Sequence, residues 1–331
     1  MEILDDNNQE TSHDLNLNPN PNETPQYLQS EMSATFVLLL AAAFFIFGNI
    51  IGSGLMVGLS KVYGLDFTLV FKNLSENSPV GTRNFMRLIL LINHLFSFIL
   101  PAIATVWLAY RNGFFKYFKL DKKPKFETLV WGLAWLLVSM PLVQYVYQIN
   151  KELHLPKWMN DLESDTGKLL ETIIAKENAY EMVVTVLLIA VIPAIGEEMM
   201  FRGVIQQQLG RILKNEHITV WTSAFFFSAI HLQFQGFFAR AILGALLGYL
   251  LIWSRNLWIP MIIHCFNNGV QIIAIYVMDV KPSEMDKFGN ADKMHWTVAG
   301  ISLLGVLAIG KYIREKNIEI LPKEKEENYG L

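Results

Sequence analysis

The sequence predicts an all-α, polytopic transmembrane bundle of about eight spans, with its N- and C-termini on the cytoplasmic side. Three observations lead there. Of the 331 residues, 52% are hydrophobic and only 17% charged, with a positive mean hydropathy unusual for a soluble chain of this length. The apolar residues come in blocks close to the roughly 20 residues that cross a bilayer core as a helix. The basic residues are richest in two segments between and after those blocks, a moderate bias of the kind the positive-inside rule describes, since the loops expected outside hold basic residues too.

The first span opens at Ala34 in "ATFVLLLAAAFFIFGNIIGSGLMVGL", which carries no charge. Further spans are expected at Leu88–Tyr110, Leu129–Ile149, Met182–Gly196 with its continuation, Ile218–Phe234, Phe237–Trp253, Leu257–Met278 and Trp296–Ile313. Trp221, Trp258 and Trp296 near span starts suit the membrane interface. The segment "RNGFFKYFKLDKKPKF" (Arg111–Phe126) holds six Lys or Arg against one Asp. With eight spans it lies on the same side as a basic C-terminal tail containing Lys311, Arg314, Lys316, Lys323 and Lys325. That side is taken as cytoplasmic. The sequence divides into a polar acidic tail (1–33), N-terminal helices (34–180), a polar-motif region (181–278) and a last helix with its tail (279–331).

The tail 1–33 lacks any Lys or Arg and contains "NLNPNPNETP", so it reads as disordered and not as a secretory signal. The polar segment 151–180 has apolar residues at helical spacing, suited to a helix lying on the membrane surface or against the bundle. "GALLG" (Gly244–Gly248) offers a close helix contact, more readily internal than homodimeric. A lone cysteine, Cys265, excludes an internal disulfide. The net charge of −3 gives no ground for a nucleic-acid partner.

An ionisable residue inside a span is costly and faces the bundle interior or a watery cavity. The spans contain His94, Glu197, Glu198, Arg202, His231 and His264, with Asn268 four residues after His264. Glu198 and Arg202 share a helix face at i and i+4 and can pair, leaving Glu197, about 100° away, for other work. Phe227 and His231 share a face, as do His264 and Asn268. His94 in "INHLFSF" reads as a helix–helix contact. Three spans can thus present a carboxylate, two imidazoles and a carboxamide to one volume. That set suits hydrolysis, with a Glu and a His activating water and a His and an Asn donating to an oxyanion. Alternatively, Glu197, His231 and His264 could hold a divalent metal such as zinc.

These residues form three short motifs: "EEMMFR" (Glu197–Arg202), "FSAIH" (Phe227–His231) and "HCFNN" (His264–Asn268). In this order, on successive hydrophobic segments, they resemble the EExxxR, FxxxH and HxxxN/D signature of the CPBP family. This is the CAAX protease and bacteriocin-processing group, also called Abi or type II CAAX prenyl endopeptidase-like proteins. The resemblance covers roughly Glu181 to Met278; the first half of the chain is similar only in being helical and membrane-embedded. It implies a multi-pass intramembrane endopeptidase of the cell membrane, acting on a membrane protein or peptide. By motif, Glu197 would be the base and His231 would help activate water. His264 and Asn268 would stabilise the oxyanion, while Glu198 and Arg202 brace the site on the cytoplasmic side. The HExxH pattern of soluble zinc proteases is missing, and a metal-free Glu/His scheme is slightly favoured. A homo-oligomer has no support. The competing readings are a proton- or metal-coupled transporter, which needs a polar path across the whole bilayer, and a non-catalytic immunity or scaffold protein.

Overall fold

A computed structural model describes residues 32–75, 77–111, 113–174, 178–278 and 293–318. The expected tail 1–33 falls almost wholly outside these residues, as do Lys323 and Lys325. The described chain is helical without a strand. Its principal helices are α1 (Ala34–Val62), α2 (Val80–Tyr110), α3 (Phe126–Lys151), α4 (Lys157–Ile174), α5 (Ala179–Leu213), α6 (Glu216–Ala229), α7 (Phe237–Ser254), α8 (Trp258–Met278) and α9 (Trp296–Ile318). Among the described residues seven helices, all of these but α4 and α6, are long and apolar enough to cross a membrane. The chain is a multi-pass integral membrane protein.

The expected fifth span, Ile218–Phe234, differs. Its helix α6 has 14 residues, about 21 Å at 1.5 Å per residue, against a hydrocarbon core of roughly 30 Å. It stops because the chain turns at Ile230–Gly236, where Leu232 adopts φ +53° and Ser228 Oγ donates to the Phe237 carbonyl at 2.6 Å. His231 therefore sits in a turn at the helix end, not within a span.

Two of the long helices widen locally into π turns. In α2 the π segment is Leu95–Ile99, and in α5 there are two, Leu187–Val191 and Met199–Ile205. The first two lie immediately before Pro101 and Pro193. Proline has no N–H to donate and its ring clashes with the carbonyl four residues back, and a wider turn absorbs both defects without ending the helix. Such bulges recur at functional sites. In α5 the two π segments bracket Ile192–Glu198, so both glutamates stand on one regular turn between two widened ones.

The amphipathic segment is α4. Its C-terminal part packs on the bundle, with Ile173 fully buried. Thr185 Oγ1 donates to the Ile173 carbonyl (3.2 Å) and so does Arg87 Nη2 (3.0 Å). Arg83 and Arg87 both pair with Glu181 at 3.2 Å, in a buried cluster. The span boundary drawn at Leu88 had left both arginines outside. Breaking such a buried pair by removing one partner costs about 3–5 kcal/mol, so the cluster fixes α4 across the ends of α2 and α5.

Gly244 and Gly248 face inward. A Cβ on Gly244 would lie 3.1 Å from Phe227 Cδ1, and one on Gly248 only 2.7 Å from Gln206 Oε1. The GxxxG pattern brings α7 close to α5 and α6, as expected of internal packing.

Candidate active site

The site is built on the regular turn of α5. Glu198 and Arg202 pair as their spacing predicts, Arg202 Nη1 donating to Glu198 Oε1 at 2.8 Å. Both side chains are almost entirely sealed from solvent. The second guanidinium nitrogen, Nη2, donates to the Gly244 carbonyl at 2.8 Å. One turn on, Gln206 Nε2 does the same to the Gly248 carbonyl at 2.9 Å. The two glycines thus expose their carbonyls to α5 as well as their bare Cα atoms. That use was not legible in the motif itself.

Glu198 has a second partner. His264 Nδ1 donates to the same Oε1 at 2.8 Å, which fixes the imidazole with Nε2 turned the other way, towards Glu197 at 3.8 Å. His231 is oriented by a different acceptor, its Nδ1 donating to the Phe227 carbonyl at 2.7 Å. Its Nε2 likewise faces Glu197 Oε2, at 3.7 Å. Glu197, His231 and His264 therefore converge. Phe227 is the hub of this assembly. Its ring lies under the Arg202 guanidinium at 4.5 Å, worth about 2 kcal/mol for a desolvated cation. The same ring meets His231 at 4.9 Å and His264 at 5.9 Å, edge-on.

Asn268 stands outside this hydrogen-bonded set. It is half-buried and its Oδ1 accepts from Asn267 Nδ2 at 3.2 Å. The structure places it on the His264 face of α8, one turn along, without joining it to Glu197 or to either histidine.

A pattern of lone pairs follows from these bonds. In a neutral imidazole one nitrogen carries the proton and the other accepts. Both Nδ1 atoms donate, so both Nε2 atoms are acceptors, and they face a carboxylate that is also an acceptor. Three acceptors aimed at one volume require a donor or a cation between them. A metal ion meets that requirement in principle, since ligating histidines are oriented through their other nitrogen in this way. The spacing is wider than a bound zinc would set. Zinc bonds of 2.0–2.1 Å in tetrahedral geometry put ligand atoms about 3.3 Å apart, against 3.7 and 3.8 Å here. Among the described residues no three His, Cys, Asp or Glu side chains are arranged to hold a metal.

Glu197 and His264 are nearly sealed, at 7% and 6% side-chain exposure, whereas His231 is 26% exposed. Access is past His231, from the Ile230–Gly236 turn. That turn is tied to the end of α3, where Asn150 Nδ2 donates to the Phe234 carbonyl (3.0 Å) and Asn150 Oδ1 accepts from Phe238 N (3.0 Å). It is tied also to α4, through Gln235 N donating to Glu163 Oε2 and the Trp158–Phe234 contact. The basic Arg111–Phe126 segment packs instead against Asn256 and Leu257, at the opposite end of α3 and α7.

Arg240 was missed by sequence reasoning. It braces the same turn, its Nη2 donating to Gln233 Oε1 (2.6 Å) and its Nη1 to the Gln233 carbonyl (3.2 Å), within electrostatic reach of Glu197. The available signal was an arginine in the first turn of an otherwise apolar span.

Comparison with known proteins agrees with the motifs. The family model described as type II CAAX prenyl endopeptidase Rce1-like matches residues 179–270, which contain all three motifs. The uncharacterized protein YpbD of Bacillus subtilis (strain 168) is 27% identical over 162 residues, 46% of this chain and 79% of that protein. No solved structure matches the chain. The stretch 179–270, helix α5 to the middle of α8, is thus similar to the Rce1-like type II CAAX prenyl endopeptidases.

Proposed function

We propose that the protein is an intramembrane endopeptidase that hydrolyses peptide bonds of a membrane-associated protein or peptide, with Glu197 as general base. The match of residues 179–270 to the Rce1-like family model supports a protease. The observation that carries the finer reading is the convergence of three acceptors, Glu197 Oε2 and the Nε2 atoms of His231 and His264. Water is the donor that fits, because it brings two protons and keeps lone pairs for attack. One proton goes to Glu197 and the other points at His231 Nε2, directing the oxygen lone pair to the substrate carbonyl. As the tetrahedral intermediate forms, Glu197 holds the proton taken from water and then passes it to the departing amide nitrogen.

The oxyanion needs donors. Asn268 has an amide N–H pair to offer, half-buried and next to the site. With its Nδ1 proton committed to Glu198, a neutral His264 has no proton on Nε2 to donate, so of this pair Asn268 is the donor.

The test is proteolysis in proteoliposomes and in host membranes, reading new protein termini for wild type and Glu197→Gln at matched levels. Termini that depend on Glu197 support the reading. Their absence, with both proteins folded and peptide coverage good, overturns it.

A further inference from the structure

Among the described residues His94 is a half-buried imidazole near this site that the mechanism does not use. The sequence makes it look like a helix–helix contact, and such a contact should satisfy its nitrogens. It does not. Among the described residues His94 has no hydrogen bond, and its Nδ1 is fully buried without a partner. Nε2 is not among the sealed atoms, so it is the nitrogen with access to space. The position of the ring is well defined. His94 ends the regular part of α2, just before the π segment Leu95–Ile99, and packs on Phe98 at 5.7 Å between ring centroids. Phe98 packs on Phe201 at 6.3 Å, and Phe201 on Phe227 at 5.2 Å. Phe98 and Ile99 also rest against Gly196, beside Glu197: a Cβ there would meet Ile99 Cγ1 at 2.9 Å and Phe98 Cβ at 3.2 Å. His94 is within electrostatic reach of both His231 and His264.

The tautomer follows from burial. A sealed N–H without an acceptor is among the rarest groups in proteins, whereas an unpaired buried acceptor is tolerated more often. The ring therefore carries its proton on Nε2 and leaves Nδ1 bare. This is the opposite of His231 and His264, whose Nδ1 atoms both donate. We infer that His94 supplies an Nε2–H donor to the substrate carbonyl oxygen, adding a donor to a site whose other two histidines present acceptors. The inference rests on the peptidase reading above.

The experiment compares wild type, His94→Phe and His94→Gln in proteoliposomes, on peptides synthesised around the Glu197-dependent cleavage points. Losing one oxyanion donor lowers kcat by about 100-fold or more. That loss is expected for His94→Phe, with KM and thermal midpoint unchanged and partial recovery in His94→Gln, which keeps an N–H. Turnover of His94→Phe at the wild-type rate overturns the assignment. So does an equal loss in both variants accompanied by a lower thermal midpoint. A second measurement does not depend on turnover: ¹⁵N spectra of histidine-labelled wild type and His94→Phe in bilayers. The ring signals lost in the variant are expected to be those of an Nε2–H, bare-Nδ1 imidazole, and an Nδ1–H or doubly protonated ring overturns the proposal. An inert wild type would sink the peptidase reading and the donor role with it. An active wild type with an unaffected His94→Phe would sink the donor role alone.

Discussion

His264 and Arg202 reach the same oxygen of Glu198, each at 2.8 Å. The second glutamate of "EEMMFR" is thus more than the partner of the arginine one turn away. It joins α5 to α8 and sets which nitrogen of His264 faces Glu197. Its other oxygen, Oε2, is buried without a hydrogen bond, as is Arg202 Nε. Everything the pair offers is concentrated on Oε1 and Nη1, with Nη2 held on Gly244.

Replacing Glu197 by Gln keeps the shape of the side chain and removes its ability to take a proton. Proteolysis is expected to fall by about 10²–10⁴, the usual contribution of a general base. The thermal midpoint should hold or rise, since a buried charge is removed. Initial rates and a melting curve on one preparation check both halves.

Glu198→Ala leaves a buried guanidinium uncompensated and frees His264 to turn. A loss of about 3–5 kcal/mol is expected. Arg202→Met leaves Glu198 unpaired and should cost a similar amount. The double variant should be less destabilised than the two losses added, because neither charge is then left alone. Thermal unfolding of the four proteins in detergent closes the cycle, and strict additivity would contradict the pairing.

Gly196→Ala tests the cradle under the site. The added methyl would sit 2.9 Å from Ile99 Cγ1, too close unless the Ile99 side chain shifts. Overpacking of this kind costs about 1–3 kcal/mol. Because Glu197 is the next residue, activity should drop more than stability alone explains. Rates measured well below the melting transition separate the two.

Chelators distinguish the metal-free chemistry from a metal-dependent one. Prolonged treatment with EDTA or 1,10-phenanthroline is expected to leave Glu197-dependent cleavage unchanged. Loss of activity that zinc restores would show that Glu197, His231 and His264 close around an ion.

Much of the site was legible because its motifs are local. Glu198–Arg202 is an i, i+4 pair, and FxxxH and HxxxN place their members on single helix faces. Span boundaries were legible only where hydropathy alone sets them. Arg83 and Arg87 sit in the first turns of α2 beyond a boundary drawn at Leu88, because buried partners at Glu181 and Ile173 offset the burial of two charges. His231 was placed inside a span because the turn that ends α6 is made by a serine hydroxyl and an unusual φ at Leu232, not by a glycine or proline at that point.

The sequence by itself determined that this chain is a helical membrane protein, and it singled out Glu197, Glu198, Arg202 and His264 as ionisable groups within its spans. Composition and short-range spacing carry that information, since hydropathy is summed residue by residue and a helix repeats every few positions. Only the tertiary structure decided what those groups face. The bond from His264 to Glu198 joins residues 66 apart, the ring of Phe227 gathers three side chains from α5, α8 and its own turn, and His94 comes to the site through packing on Phe98. Contacts of that range depend on how helices cross and on where π turns rotate their faces. No local pattern encodes either, so the direction in which the site opens emerged only when the helices were packed.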